Sequence, residues 1–149
     1  MFLLDSNVWI AQTFSAHPGH DAASQALVLA TAERPAVFCR ATEQSFLRLV
    51  STPAVLRQYG AAGLTNEDAL ELLARFQALP MIAFREEPPG IVPLWHRLAR
   101  RPEASPKVWM DAYLAAFAIA GNLTMITLDS DLKHYEPAGL QLQLLLPTV

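Results

Sequence analysis

Little in this chain allows for a disulfide, a membrane span or a generally basic nucleic-acid surface. A single cysteine, Cys39, among 149 residues excludes an internal disulfide and fits a reducing compartment. Apolar residues make up 52% of the chain, yet no run approaches the roughly 20 residues that a membrane helix needs. The first residues, Met1-Phe2-Leu3-Leu4-Asp5, lack the basic start and the cleavage site of a signal peptide. The expectation is a cytoplasmic protein without a membrane. A phosphate-cradling loop is missing too, because Gly60 and Gly63 do not have the Walker spacing. The formal charge of −3 argues against a generally basic nucleic-acid binder. The bases are nonetheless bunched, with Arg40, Arg48 and Arg57 in one region and Arg97, Arg100, Arg101 and Lys107 in another.

What is present reads as one domain over residues 1–149, long enough to bury roughly 70% of its unfolded surface. No linker, repeat or low-complexity segment interrupts it. Strands are expected at residues 2–5, 36–39, 81–84, 124–128 and 142–146. After the first come a turn and the short apolar stretch Val8-Trp9-Ile10. Helical spacing of Ala23, Ala26, Leu27 and Ala30 predicts a helix from His20 to Glu33. Thr42 can cap the next helix, which ends near Ser51-Thr52-Pro53. Thr65-Asn66-Glu67-Asp68 resembles a capping box opening a helix to about Leu79. Ile91 to Arg101 is amphipathic. Ser105-Pro106 starts a last helix with proline at its first position, and Gly121 offers it a left-handed cap. Alternating strands and helices predict a three-layer α/β/α domain around a mainly parallel five-stranded sheet.

Two of the strands end on an aspartate: Phe2-Leu3-Leu4-Asp5 and Thr124-Met125-Ile126-Thr127-Leu128-Asp129. In open α/β sheets that carboxyl edge is where ligands bind. Asp111 stands in the apolar segment Val108-Trp109-Met110-Asp111-Ala112-Tyr113-Leu114, and Glu43 in Ala41-Thr42-Glu43-Gln44-Ser45-Phe46-Leu47. Taken alone, a strand-end Asp is usually a turn or cap residue, and Glu43 suits a first helical turn. Counted from Pro106, Asp111 lies about one and a half turns into its helix, past the capping turn. Acids are rarely set among apolar neighbours without a partner, and no matching set of buried bases is visible. Four acids in matching contexts point to a shared site whose repulsion is relieved by a hard divalent cation, Mg²⁺ or Mn²⁺.

Other features have plainer readings. His17-Pro18-Gly19-His20 lacks the further ligands of a structural zinc site and reads as a loop and helix start. His96 and His134 read as surface groups and Cys39 as inert core. Asp131 and Lys133 are loop charges, with Asp131 near enough to Asp129 to assist a metal. Trp9, Trp95 and Trp109 are core or interface anchors more often than base-stacking platforms. Arg40 and Arg48 flank Glu43 as candidate phosphate contacts, whereas Arg97, Arg100 and Arg101 follow a solvated helical face.

Leu3-Leu4-Asp5-Ser6-Asn7-Val8, Glu43 with Phe46-Leu47-Arg48-Leu49, Asp111-Ala112-Tyr113-Leu114 and Thr127-Leu128-Asp129 together resemble the ordered acidic motifs of PIN-domain nucleases. More narrowly, the chain looks like a VapC-type toxin, the nuclease half of a type II toxin–antitoxin pair. The likeness spans almost the whole chain. It implies a metal-dependent endoribonuclease with Asp5 and Asp111 as the main metal ligands. Glu43 and Asp129 would complete the catalytic pocket, directly or through water, with Asn7 and Thr127 in support. It also implies an RNA substrate, a cognate antitoxin that covers the active site, and a homodimer. Met110 departs from the small polar residue often found there. Two alternatives remain: a PIN nuclease of RNA processing without an antitoxin, and a non-catalytic RNA- or protein-binding PIN module.

Overall fold

Side-chain alternation along very short strands divides this molecule into two cores. Phe2 and Leu4 of β1 (Phe2–Leu4) face one side and Leu3 the other. Ala36 and Phe38 of β2 (Ala36–Phe38) join the first side, and Val37 the second. In β4 (Thr124–Thr127), Ile126 and Met125 divide in the same way. This is the two-residue period of a strand buried on both faces. With β3 (Ile82–Phe84) and β5 (Gln141–Leu144) the sheet has five strands in the order β3-β2-β1-β4-β5. Every pairing is parallel. The computed structural model describes residues 1–61 and 63–147.

Helices α1 (Ser6–Thr13), α2 (His20–Leu27), α3 (Arg40–Val50), α4 (Pro53–Gln58) and α5 (Asn66–Gln77) supply the first core, where Trp9 stacks on Phe38 at 3.9 Å. Helices α6 (Ile91–Ala99) and α7 (Val108–Ala120) cover the second, centred on Phe117 and Met125. The result is the expected three-layer α/β/α domain. Among the described residues no helix is long and apolar enough to cross a membrane.

Several boundaries differ from the sequence expectations, each for a local reason. The turn expected after Asp5 is α1, whose Val8, Trp9 and Ile10 are all buried. Helix α2 stops at Leu27 because Thr31 and Arg34 close a turn, with the Arg34 N–H donating to Thr31 Oγ1 at 3.1 Å. Such hydroxyls compete with helical bonding. Thr42 is not the first cap of α3. It lies inside the helix and reaches back to accept the Cys39 N–H at 2.9 Å. Helix α4 and a 3₁₀ segment over Ser130–Ala138 were not expected at all. Pro106 lies before α7, in a turn closed by the Val108 N–H on the Ser105 carbonyl at 3.1 Å. Gly121 is right-handed at φ −87°, and Asn122 takes the left-handed position at φ 53°. A side chain at Gly121 would place its Cβ 3.0 Å from the Phe117 carbonyl oxygen, so glycine is there for room. The last strand ends at Leu144 rather than Leu146. The Thr65–Asp68 capping box forms as expected, at 2.8 and 3.1 Å.

Candidate active site

Strands β1 and β4 are neighbours, yet the chain leaves them toward opposite edges of the sheet, β1 toward β2 and β4 toward β5. That reversal opens a crevice at the carboxyl ends of the two strands, the usual ligand position in open α/β sheets. Asp5 follows β1 and Asp129 lies two residues beyond β4. The Asp5 N–H is tied across to the Ile126 carbonyl at 2.9 Å. The two acids are therefore placed by adjacent backbones.

Asp5 is the most enclosed of the three aspartates, at 9% exposure. Its Oδ2 accepts from the Thr127 hydroxyl at 2.7 Å and from Asn7 Nδ2 at 3.2 Å. Its Oδ1 accepts from the Ser6 hydroxyl, at 3.4 Å. Asn7 also donates to Thr127 Oγ1 and accepts the Leu128 N–H, each at 3.2 Å, which fastens α1 to the end of β4. Burial raises the Asp5 pKa above the usual carboxylate value, and the Asp129 charge adds to the rise. The Thr127 and Ser6 hydrogen bonds only partly oppose it.

Asp129 is turned by its own chain. Its Oδ1 accepts the Asp131 N–H at 2.9 Å, and its N–H donates to Thr127 Oγ1 at 3.0 Å. Its Oδ2 lies 3.5 Å from Lys107 Nζ, which sits closer to Asp131, at 2.6 Å. Those two acids hold the Lys107 ammonium pKa well above its ordinary value.

Because α7 begins at Val108, Asp111 lies in its first turn rather than past it, where the helix dipole favours an acid. Among the described residues no hydrogen bond holds its pKa down. Burial raises it, Asp129, Asp5 and Asp131 raise it further, and Lys107 partly opposes them. The three aspartates therefore share one electrostatic environment.

Glu43 is only 5% exposed, but it has partners of its own. Its Oε1 pairs with Arg40 Nη1 at 2.5 Å, and its Oε2 accepts from Gln77 Nε2 at 2.8 Å. It lines a depression beside Phe84, on the β3 side. The expectation that these acids lack basic partners is thus corrected at Glu43, by Arg40, and at Asp129, by Lys107. Arg40 also stacks its guanidinium over the Phe84 ring at 4.6 Å. Arg48 lies about 12 Å further along α3, exposed, in a groove against Leu70.

Sequence reasoning missed Gln77 and left Lys107 as one of a bunch of bases with Arg97, Arg100 and Arg101. Gln77 carries no local signal, since its partner is 34 residues away. Lys107 could have been flagged by its position just before the Asp111 segment.

The donor set is all oxygen, which suits a hard cation. Among the described residues no three acidic, His or Cys side chains stand close enough together to grip one ion. The fit is therefore to an ion held by one or two carboxylates and otherwise by water, as Mg²⁺ commonly is.

The PIN domain profile matches residues 2–136. Ribonuclease VapC41 of Mycobacterium tuberculosis is 41% identical over 146 residues, covering 97% of this chain and 99% of the relative. The chain belongs to the PIN-domain family and, within it, to the VapC ribonucleases. Its fold is similar to those of solved structures that share little sequence with it. VapBC2 from Rickettsia felis, bound to a DNA fragment from its promoter, aligns with a TM-score of 0.62 at 15% identity, over 97% of this chain and 98% of that one. VapC20 of M. tuberculosis, a Sarcin-Ricin loop cleaving toxin, gives 0.62 at 15% identity, over 94% and 96%. VapBC-1 from nontypeable Haemophilus influenzae gives 0.64 at 14% identity, over 96% of each chain.

Proposed function

We propose that this chain is a metal-dependent endoribonuclease, the toxin of a type II toxin–antitoxin pair, working in the cytoplasm. The observation that supports the reading most is the mutual electrostatic influence of Asp5, Asp111 and Asp129, which with burial raises the pKa values of Asp5 and Asp111. The 41% identity to a named ribonuclease supports it independently.

Asp5 and Asp111 would hold Mg²⁺ or Mn²⁺. When bound, such an ion supplies a water of lowered pKa and positive charge beside the scissile phosphate. The chain's own groups prepare the place. Thr127 and Asn7 occupy Asp5 Oδ2, so Oδ1, with its long bond from Ser6, is the oxygen better placed to take an ion. The Asp131 N–H fixes Asp129, and Lys107 limits the repulsion among the acids. Glu43 completes the acidic set when Arg40 leaves it for an RNA phosphate. Arg48 serves a more distant stretch of backbone. A cognate antitoxin and a homodimer complete the assembly.

Purified protein should cleave RNA only with Mg²⁺ or Mn²⁺, and a chelator should stop it. Full activity in excess chelator, or in Asp5→Asn, would sink the mechanism. Inducing the chain alone should arrest growth, and Asp111→Asn at equal expression should relieve the arrest.

A further inference from the structure

An open cavity of about 600 Å³ lies between the end of α6 and the start of α7, within the roughly 300–1,000 Å³ of small-ligand sites. It is lined by His96, Arg100, Arg101 and Trp109, with Glu103 as its one acid. Among the described residues neither arginine forms an ion pair. The cavity is therefore predominantly basic, in a chain whose net charge is −3.

The three tryptophans have separate fates. Trp9 is fully buried, whereas Trp109 is 56% exposed. Trp95 holds Trp109 in place, with a T-shaped ring contact at 6.3 Å and an indole N–H donated to the Trp109 carbonyl at 2.9 Å. Arg101 is likewise pinned, donating to the carbonyls of Leu98 and Arg100 at 3.0 and 2.9 Å. Trp109 thus presents a positioned, exposed aromatic face beside the held guanidinium of Arg101.

The cavity adjoins the aspartates. Ser105 and Pro106 line it, and the next residue, Lys107, reaches Asp129 and Asp131. The Tyr135 phenol neighbours Arg101, Asp111 and Asp131 alike. The start of α7 therefore lies between the aspartates and the cavity, and a helix N-terminus favours phosphate.

We propose that this cavity is a nucleotide subsite, in which one unpaired base of the RNA stacks on Trp109 while the neighbouring phosphates pair with Arg100 and Arg101. The subsite rests on RNA being the substrate, and it selects single-stranded segments because a paired base cannot enter. Stacking of a base on an aromatic side chain tolerates any sequence, so selection here is for strandedness first.

The test uses the full-length chain in chelator, where binding is read without cleavage, with fluorescein-labelled single-stranded and hairpin-duplex RNA followed by anisotropy. Trp109→Ala should weaken single-strand binding roughly five- to 150-fold, and Trp109→Phe should restore most of it. Arg100→Gln and Arg101→Gln should each reduce the salt slope by about 0.7. If wild type binds RNA and all these variants bind equally well, the subsite is overturned and the nuclease reading stands. If Trp109→Ala converts a dimer to a monomer on sedimentation while RNA affinity is unchanged, the face joins two copies instead, and the subsite is again overturned. If binding depends on Trp109 but no RNA is cut with Mn²⁺, the subsite stands and the nuclease reading falls. If wild type binds no RNA in chelator, the subsite is overturned, and cleavage with Mn²⁺ decides the nuclease reading separately.

Discussion

Replacing Asp5 with asparagine should make the protein more stable in chelator and less stable than wild type in excess Mn²⁺. Two donors, Thr127 Oγ1 and Asn7 Nδ2, both address Oδ2. The single amide oxygen of asparagine can take that place and keep both bonds. The new amide then faces Ser6, whose hydroxyl at 3.4 Å can turn to accept. Weakening two bonds from charged to neutral acceptors costs about 1 kcal/mol each. Against that stands the burial of an ionised carboxylate at 9% exposure beside Asp129, worth several kcal/mol. The raised pKa of Asp5, with burial as its largest cause, agrees with burial outweighing the bonds. A net gain of about 1 kcal/mol should raise Tm by about 2–4 °C for a chain of this size. In Mn²⁺ at a hundredfold over its dissociation constant, wild type gains about 2.7 kcal/mol by mass action and the variant little, so the order inverts.

The pH dependence has a definite sign. An acid with a raised folded pKa binds its proton more tightly when folded, so wild type gains stability relative to Asp5→Asn as pH falls through that pKa. The gain is complete below the unfolded value of about 4. Thermal melts of both proteins across pH, with chelator and with Mn²⁺, decide the matter. A variant that melts lower than wild type in chelator at neutral pH, with no metal response in either protein, would show that Asp5 is a structural acid.

Other perturbations probe the surrounding contacts. Thr127→Val keeps the shape of β4 but removes the hydroxyl that serves Asp5, Asn7 and the Asp129 N–H; it should cost about 1–3 kcal/mol in denaturant melts and lower cleavage. Arg40→Ala should destabilise wild type by about 1–2 kcal/mol, since it strands the buried Glu43 carboxylate with Gln77 alone, and by much less in a Glu43→Gln background, as a double-mutant cycle will measure. Lys107→Ala frees Asp129 Oδ2 of its competitor and should tighten Mn²⁺ binding by up to about tenfold in a calorimetric titration. Arg40→Ala and Arg48→Ala should each flatten the salt dependence of RNA binding by about one unit or less; an unchanged slope for both returns them to solvated surface.

The sequence by itself determined the layers and the carriers of charge. Apolar runs ending on Asp5 and Asp129 are local properties of the chain, so strand identity and the sheet edge could be read directly. The Thr65–Asp68 capping box was legible for the same reason, since its bonds span three residues. Errors clustered where a few competing bonds decide a boundary: the Thr31–Arg34 turn that ends α2 and the Ser105–Val108 turn that delays α7 and moves Asp111 into its first turn.

Only the tertiary structure decided which charges meet. Glu43 looked equal to the three aspartates in sequence, yet Arg40 and the distant Gln77 hold it on the β3 side. Lys107 looked like one base among several until the α6–α7 loop brought it to Asp129 and Asp131. Three tryptophans alike in sequence were separated, Trp9 into a sealed core, Trp95 half-buried behind Trp109, and Trp109 into an open basic cavity. The physical reason is range. Periodicity and capping act over a few residues, where sequence neighbours are spatial neighbours. Coulomb and desolvation energies depend on distances between groups up to about 120 positions apart in this chain, and only the packed sheet sets those distances.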